Sequence, residues 1–305
     1  MEKRVSVDKI IKDFYLIKLN EFPNAFIERP SINRAGLLLG GNFKRETLTK
    51  NIVGWGTNES EFLLSLSEEK RKKALKTVIG ALPPLLLLSI GFSANLYQEV
   101  LQIAEKYKVQ VVKSQEHLST LIANIGSYLT EYFAKTVSVH GCAVLVNGVG
   151  VMIIGPSGAG KSEAVLELIQ EGHTFVTDDT VVISRLGNRF IGKPATITQD
   201  FLEVRGIGLI DIRHTYGSSM IRAKLDIDLV LELVPDNENI IFDRLGKWDL
   251  EYNILDGAIQ KIQIPVKQGR TISSLVVAAV NAYLVRKDGL DPLQKIQERI
   301  LKENE

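Results

Sequence analysis

Hydrophobic and polar positions alternate along this chain with two different periods, and the switches between them mark its elements. Val5–Phe14 repeats apolar residues at helical spacing, and Glu68–Val78 is helical by composition. Leu85–Phe92 is a bounded apolar run of the kind a strand buried on both faces requires. Leu96–Tyr107 returns to helix and Val109–Val112 to strand, a βαβ-like rhythm that predicts a parallel sheet. A longer helix is expected over Glu116–Phe133, with Leu118, Leu121, Ile122, Ile125 and Leu129 near one face. Its end sets a domain junction at about residue 133. This gives an N-terminal α/β domain over 1–133 and a second domain over 134–305.

The second half is richer in strands. Val137–Val146 alternates as one strand, so that His140 and Cys142 share a face with Val144 and Val146. Val149–Ile154 reads as a buried strand, Lys161–Glu171 as a helix, and Thr174–Val176 and Thr180–Ser184 as strands around an acidic pair. Leu225–Val234 is a further strand, and Ser273–Arg286 a helix preceded by Gly269. A last helix opens at Asp291-Pro292, with Asp as cap and Pro at the first helical position.

Composition adds mainly exclusions. Of 305 residues, 37 are basic and 36 acidic, so no global field attracts nucleic acid or an anionic membrane. The basic run Lys70–Lys76 follows two glutamates and reads as a solvated helix face. The lone Cys142 allows no intramolecular disulfide and, with four histidines, makes a structural zinc site improbable. Thr77–Gln98 and Val137–Gly160 carry no charge, but Pro83-Pro84, Gly80, Gly91 and Asn95 interrupt the first. His140, Asn147 and several glycines interrupt the second, so neither is expected to span a membrane. The opening MEKRVSVDKIIKDF mixes charge with apolar periodicity and reads as a helix rather than a secretory leader. A cytoplasmic protein is expected.

The chemistry is concentrated at Gly155-Pro156-Ser157-Gly158-Ala159-Gly160-Lys161-Ser162, which matches the P-loop pattern G-x-x-x-x-G-K-[ST] between an apolar strand and an amphipathic helix. The loop's N–H groups can converge on phosphate oxygens at the positive end of the helix. Lys161 supplies a mobile charge for the β- and γ-phosphates, and the Ser162 hydroxyl is placed to ligate Mg²⁺. A nucleoside triphosphate or related phosphate donor is therefore expected.

A P-loop does not name the reaction. Asp178-Asp179 follows in the chain, and on an extended backbone its two carboxylates point to opposite faces. One is then a general base or metal anchor facing the phosphates, or the pair simply forms a turn. Taken locally, His140 reads as a buried, hydrogen-bonded histidine, and Cys142 as a small buried apolar residue rather than a nucleophile. Two glycine-punctuated segments place charge beside glycine as phosphate-handling loops do. They are Leu202-Glu203-Val204-Arg205-Gly206-Ile207-Gly208-Leu209-Ile210-Asp211 and Pro265-Val266-Lys267-Gln268-Gly269-Arg270. These features also suit a small-molecule kinase or NTPase, or a nucleotide-sensing regulator without transfer activity.

Together the segments resemble the HPr kinase/phosphorylase family. The resemblance rests on His140-Gly141, GPSGAGKSE at 155–163, Asp178-Asp179, LEVRGIGLID at 202–211, FDRLG at 242–246 and PVKQGR at 265–270. Arg29-Pro30 with Leu38–Gly41 looks like the family's N-terminal domain, more loosely. The resemblance implies a two-domain α/β protein whose C-terminal P-loop domain is related to phosphoenolpyruvate carboxykinase. It implies a hexameric enzyme that uses Mg²⁺ with ATP or pyrophosphate to phosphorylate a serine of the phosphocarrier HPr, in carbon catabolite control. The reverse reaction would use inorganic phosphate and yield pyrophosphate. By the same resemblance Asp179 would exchange the serine proton, Lys161 and Arg244 would stabilise the moving phosphoryl group, and Ser162 and Glu203 would hold Mg²⁺. His140 would be a further active-site residue, and Pro265–Arg270 would serve mainly dephosphorylation.

Overall fold

The computed structural model describes residues 3–22, 25–34, 36, 48, 50–235, 248–266 and 271–303. It divides into two compact units, residues 1–134 and 135–305.

In the first unit, β1 (Val5–Ser6) leads into α1 (Val7–Asp13), whose cap Ser6 accepts the Lys9 N–H. Three two-residue strands follow: β2 (Ile17–Lys18), β3 (Phe26–Ile27) and β4 (Ile32–Asn33). Then come β5 (Ile52–Trp55), α2 (Thr57–Ser65), α3 (Glu68–Ile79), β6 (Leu85–Leu88), α4 (Tyr97–Tyr107), β7 (Val111–Lys113) and α5 (Leu118–Phe133). The main sheet has the order β2-β7-β6-β5-β4 and is parallel from β4 to β7, with β2 antiparallel at one edge. Strand β6 shows why its sequence carries no polar residue. Leu86 and Leu88 pack with Val53, Trp55 and helices α2 to α4, while Leu85 and Leu87 pack with Ile52, α1 and α5. The strand stops at Leu88, short of the full apolar run to Phe92, because Ser89–Phe92 closes a hydrogen-bonded turn.

The second unit begins with β8 (Thr136–His140), β9 (Cys142–Val146) and β10 (Val149–Ile154), followed by α6 (Lys161–Gln170). Next are β11 (Thr174–Thr177), β12 (Thr180–Leu186), β13 (Arg189–Pro194), β14 (Phe201–Val204), β15 (Gly208–Asp211) and α7 (Ile212–Tyr216). The unit continues with β16 (Leu225–Asp226), β17 (Leu229–Pro235), β18 (Glu251–Ile254), β19 (Gly257–Val266), α8 (Ile272–Lys287) and α9 (Pro292–Glu303). Its six-stranded sheet has the order β11-β9-β10-β17-β19-β18 and a second, four-stranded sheet the order β16-β13-β12-β8. One face of the large sheet (Val144, Val151, Ile153, Leu231) packs on Val165 and Leu168 of α6 and Val276 and Val280 of α8. The other face (Ala143, Met152, Val230) packs on Val181, Ile183 and Phe190 of the smaller sheet. The result is a helix layer and two sheet layers around two apolar cores.

The expected single strand Val137–Val146 is two strands. β8 pairs with β12 in the small sheet, and β9 pairs with β10 and β11 in the large one. The chain changes sheet at Gly141, where a Cβ would stand 2.6 Å from the Ile153 carbonyl oxygen. His140 and Cys142 therefore lie on opposite sides of a switch, and do not share the face that alternation predicts. None of the described helices is long and apolar enough to cross a membrane.

Candidate active site

The P-loop bridges β10 and α6 at the C-terminal end of a buried strand. Gly155 has φ 149° and lies so close to β17 that a Cβ would meet the Leu233 carbonyl oxygen at 2.7 Å. Gly160 caps α6 at φ 88°, and a Cβ there would strike Ile272 at 2.7 Å. The intervening Pro156, Ser157 and Gly158 are exposed, and Ala159 packs partly on the core. Lys161 is buried, with its ammonium donating to the Gly155 and Pro156 carbonyls at 3.0 Å each. These residues stand at the positive end of the α6 dipole, where an anion is favoured.

The acidic pair sits in the turn between β11 and β12, and its two carboxylates have opposite environments. Asp178 is 3% exposed. The Ser162 hydroxyl stands 3.0 Å from both its oxygens, the Cys142 thiol donates to Oδ1 at 2.8 Å, and the Glu203 N–H donates to Oδ2 at 3.2 Å. Asp179 takes the left-handed conformation at φ 64°, a position that only a few side chains other than Gly tolerate. That reversal turns its side chain to solvent, 61% exposed, where His140 Nδ1 stands 3.1 Å from Oδ1. The Thr180 hydroxyl donates to Oδ2 at 3.3 Å, and the Asp179 carbonyl accepts the Gly141 N–H at 3.0 Å. The pair is thus not extended backbone, and neither residue faces away. Both line one cleft of about 370 Å³ with His140, Lys161, Ser162 and Glu203.

Two local readings change here. His140 is an exposed partner of Asp179, not a buried core histidine. Asp178, which the sequence leaves ambiguous, ties the P-loop serine, β9 and β14 together through its three donors. Cys142 is fully buried, and burial followed by the neighbouring Asp178 charge pushes its thiol well above the ordinary range. It is a hydrogen-bond donor to Asp178 and not a thiolate nucleophile.

The segment 202–211 forms the β14–β15 hairpin. Leu202 and Val204 pack into the core, while Glu203, Arg205, Gly206 and Gly208 line the cleft. Ile207 and Leu209 are exposed beside it, Ile210 packs partly inward, and Asp211 caps α7 by accepting the His214 N–H. That bond and the His214 ring hold the Asp211 carboxyl below the usual range. Pro265 and Val266 end β19 beside Val234 and Pro235 of β17. Arg244 and Lys267, Gln268, Gly269 and Arg270 lie outside the described residues, as does Leu38–Gly41.

Among the described residues, no cluster of three or more His, Cys, Asp or Glu side chains forms a closed metal cage. The hard oxygens of Ser162 and Glu203 on the cleft wall nevertheless suit Mg²⁺, which binds through few protein ligands plus water and substrate phosphate.

Comparison with known proteins matches both units. The family described as HPr Serine kinase C-terminal domain matches residues 131–300, and that described as HPr Serine kinase N terminus matches residues 5–129. This chain belongs to the HPr kinase/phosphorylase family. A relative named HPr kinase/phosphorylase from Mycoplasmopsis pulmonis (strain UAB CTIP) is 44% identical, covering 99% of each chain. One of the same name from Alkaliphilus metalliredigens (strain QYMF) is 33% identical over 98% of this chain and 97% of its own. A solved structure of the Hpr(Ser) kinase/phosphatase from Coxiella burnetii is 26% identical, covering 53% of this chain and 99% of its own, with a TM-score of 0.48. The two-domain α/β architecture of the family is the architecture described above.

Proposed function

We propose that this chain is a bifunctional HPr kinase/phosphorylase. It transfers a phosphoryl group from ATP or pyrophosphate to a serine of HPr, and returns it from that phosphoserine to inorganic phosphate, releasing pyrophosphate. The full-length identity to relatives of that name supports this reading. The observation that carries it in the structure is the exposed Asp179–His140 pair at the mouth of a cleft whose floor is the P-loop.

In the forward direction the serine hydroxyl approaches from the open side of the cleft. Asp179 takes its proton as the serine oxygen bonds to the terminal phosphorus and the bridging oxygen leaves with the donor. In reverse, a phosphate oxygen attacks the phosphoserine phosphorus, and Asp179 returns the proton to the departing serine oxygen. One carboxylate serves both directions by microscopic reversibility. His140 orients that carboxylate and, when protonated, adds positive charge beside it. The P-loop amides and Lys161 hold the donor phosphates, and Lys161 with Arg244 balances charge on the moving group, the largest contribution in such transfers. Ser162 and Glu203 would hold Mg²⁺, which neutralises phosphate charge. Segment 265–270 would place inorganic phosphate. The catalytic domain is residues 134–305, and the enzyme works as a cytoplasmic homohexamer.

The test is incubation with HPr, ATP and Mg²⁺, following phosphoserine by mass, and then addition of excess phosphate. Phosphoserine should form and then disappear with release of pyrophosphate. In Asp179→Asn both directions should be lost while nucleotide affinity persists; intact phosphorolysis in that variant would refute the shared acid/base role.

A further inference from the structure

The Asp179 carboxylate has a neighbour at each oxygen: His140 Nδ1, 3.1 Å from Oδ1, and the Thr180 hydroxyl, which donates to Oδ2 at 3.3 Å. The two neighbours come from different strands. His140 ends β8 and Thr180 opens β12, and the antiparallel register sets them directly opposite each other. Residues so paired project side by side from one face of a sheet. The pairing thus delivers an imidazole and a hydroxyl to one carboxylate. The hydroxyl is not needed to build the turn. The Thr180 N–H donates to the Asp178 carbonyl at 2.7 Å, and the Thr180 carbonyl accepts the hydroxyl of buried Thr177 at 2.9 Å. The Asp179 carbonyl accepts the Gly141 N–H. None of these bonds uses the Thr180 hydroxyl. What that hydroxyl holds is the last torsion of Asp179. Rotation about a bond to a carboxylate carbon is soft, and this side chain is 61% exposed, so packing does not fix its plane.

We propose that Thr180 is a positioning residue for phosphoryl transfer: its hydroxyl fixes the plane of the Asp179 carboxylate toward the acceptor oxygen. This inference rests on the protein-serine reading given above. A hydroxyl suits the task in both protonation states of its partner. It donates to Oδ2 while Asp179 is ionised. When the serine O–H bond breaks and its proton bonds to Oδ1, Oδ2 becomes the carbonyl oxygen of the acid and still accepts. The hydroxyl keeps its own proton throughout, and Asp179 keeps its orientation for the return step. The β-branched shape of threonine restricts the hydroxyl to few rotamers, which keeps it aimed at Oδ2.

The experiment uses the full chain with HPr, ATP and Mg²⁺, read in a single turnover so that product release does not mask the chemical step. Absence of phosphoserine with the wild type overturns both the protein-serine reading and the role of Thr180. With an active wild type, Thr180→Val keeps the β-branched shape and removes the hydroxyl. It should slow phosphoserine formation about five- to tenfold, the worth of one hydrogen bond. Phosphorolysis in excess phosphate should slow by the same factor, since one carboxylate serves both directions. The HPr concentration for half-maximal rate and the nucleotide affinity should stay within about twofold, and Tm within about 2 °C. Thr180→Ser keeps the hydroxyl and should recover most of the wild-type rate. A Thr180→Val rate within about twofold of the wild type overturns the positioning role alone, and so does an equal loss in Thr180→Ser. A larger fall in Tm in Thr180→Val assigns the residue to the fold and overturns that role as well.

Discussion

Removing the Asp178 carboxylate should destabilise the second unit by an amount its hydrogen bonds allow us to estimate. Asp178→Ala deletes the acceptor for the Ser162 hydroxyl, the Cys142 thiol and the Glu203 N–H. The Ser162 hydroxyl can turn to water in the cleft, so its loss costs little. The fully buried thiol has no such freedom, and the part-buried Glu203 N–H has only some of it. Leaving a buried donor unpaired costs roughly 1–3 kcal/mol each, less for a thiol. The buried charge removed with the side chain offsets part of this. A net loss of about 1–3 kcal/mol follows, which for a domain of this size lowers Tm by roughly 2–12 °C. Asp178→Asn is the informative companion. The thiol donates to Oδ1 and the Glu203 N–H to Oδ2, so the amide oxygen can satisfy only one of them. Oriented toward Glu203, it leaves the sulfur as a weak acceptor for the new NH₂. Asn should therefore lose less than half of what Ala loses. Calorimetry on the full chain measures both. An Ala variant melting within about 1 °C of the wild type would show that the three donors do not depend on this carboxylate.

Lys161→Ala should weaken nucleotide binding about 10–100-fold in a calorimetric titration, the value of a charge-assisted contact, and an unchanged Kd would refute the P-loop assignment. The left-handed φ of Asp179 predicts an order of stability in urea: Asp179→Gly within about 1 kcal/mol of the wild type, and Asp179→Val lower by about 1–2 kcal/mol. A valine variant as stable as the glycine one would contradict that conformation. The raised thiol of buried Cys142 should react with an alkylating reagent at pH 8 at least about a hundredfold slower in the native chain than in urea. Equal rates would place the thiol at the surface.

The P-loop is legible in the sequence because everything it needs is local. An apolar strand, glycines at backbone positions closed to a Cβ, and an amphipathic helix follow one another without a break. The sheet switch at Gly141 is not legible. The alternation in VSVHGCAVLV runs straight through it, and only the nearness of the Ile153 carbonyl, a contact from β10, shows why glycine stands there. The same holds for Asp178 and Asp179, whose separation is produced by one left-handed residue rather than by strand alternation. The β18–β19 hairpin is another tertiary product. Gln260, Lys261 and Gln263 dilute its periodicity, although Asp256-Gly257 is a turn signal. Strand β5 and helix α2 likewise leave no strong periodic trace, since all four residues of β5 are buried and α2 buries Glu59 and Ser60.

The division of labour between the two carboxylates follows from those same positions. An acid/base group must have a free lone pair that a substrate proton can reach. Asp178 accepts from three protein donors and is closed to solvent, so its lone pairs are engaged in holding Ser162 and β14 in place. Asp179 accepts one bond, from Thr180 on Oδ2, with His140 Nδ1 3.1 Å from Oδ1, and most of its side chain is open to the cleft mouth. It can take a proton and keep its place, because that place is set by its backbone bond to Gly141 and not by its side chain. The Gly141 that moves the chain from one sheet to the other is thus also the donor that pins the Asp179 turn, and it follows His140 directly. The fold switch, the proposed acid/base and its histidine partner are built on two adjacent pairs of residues, 140–141 and 178–179.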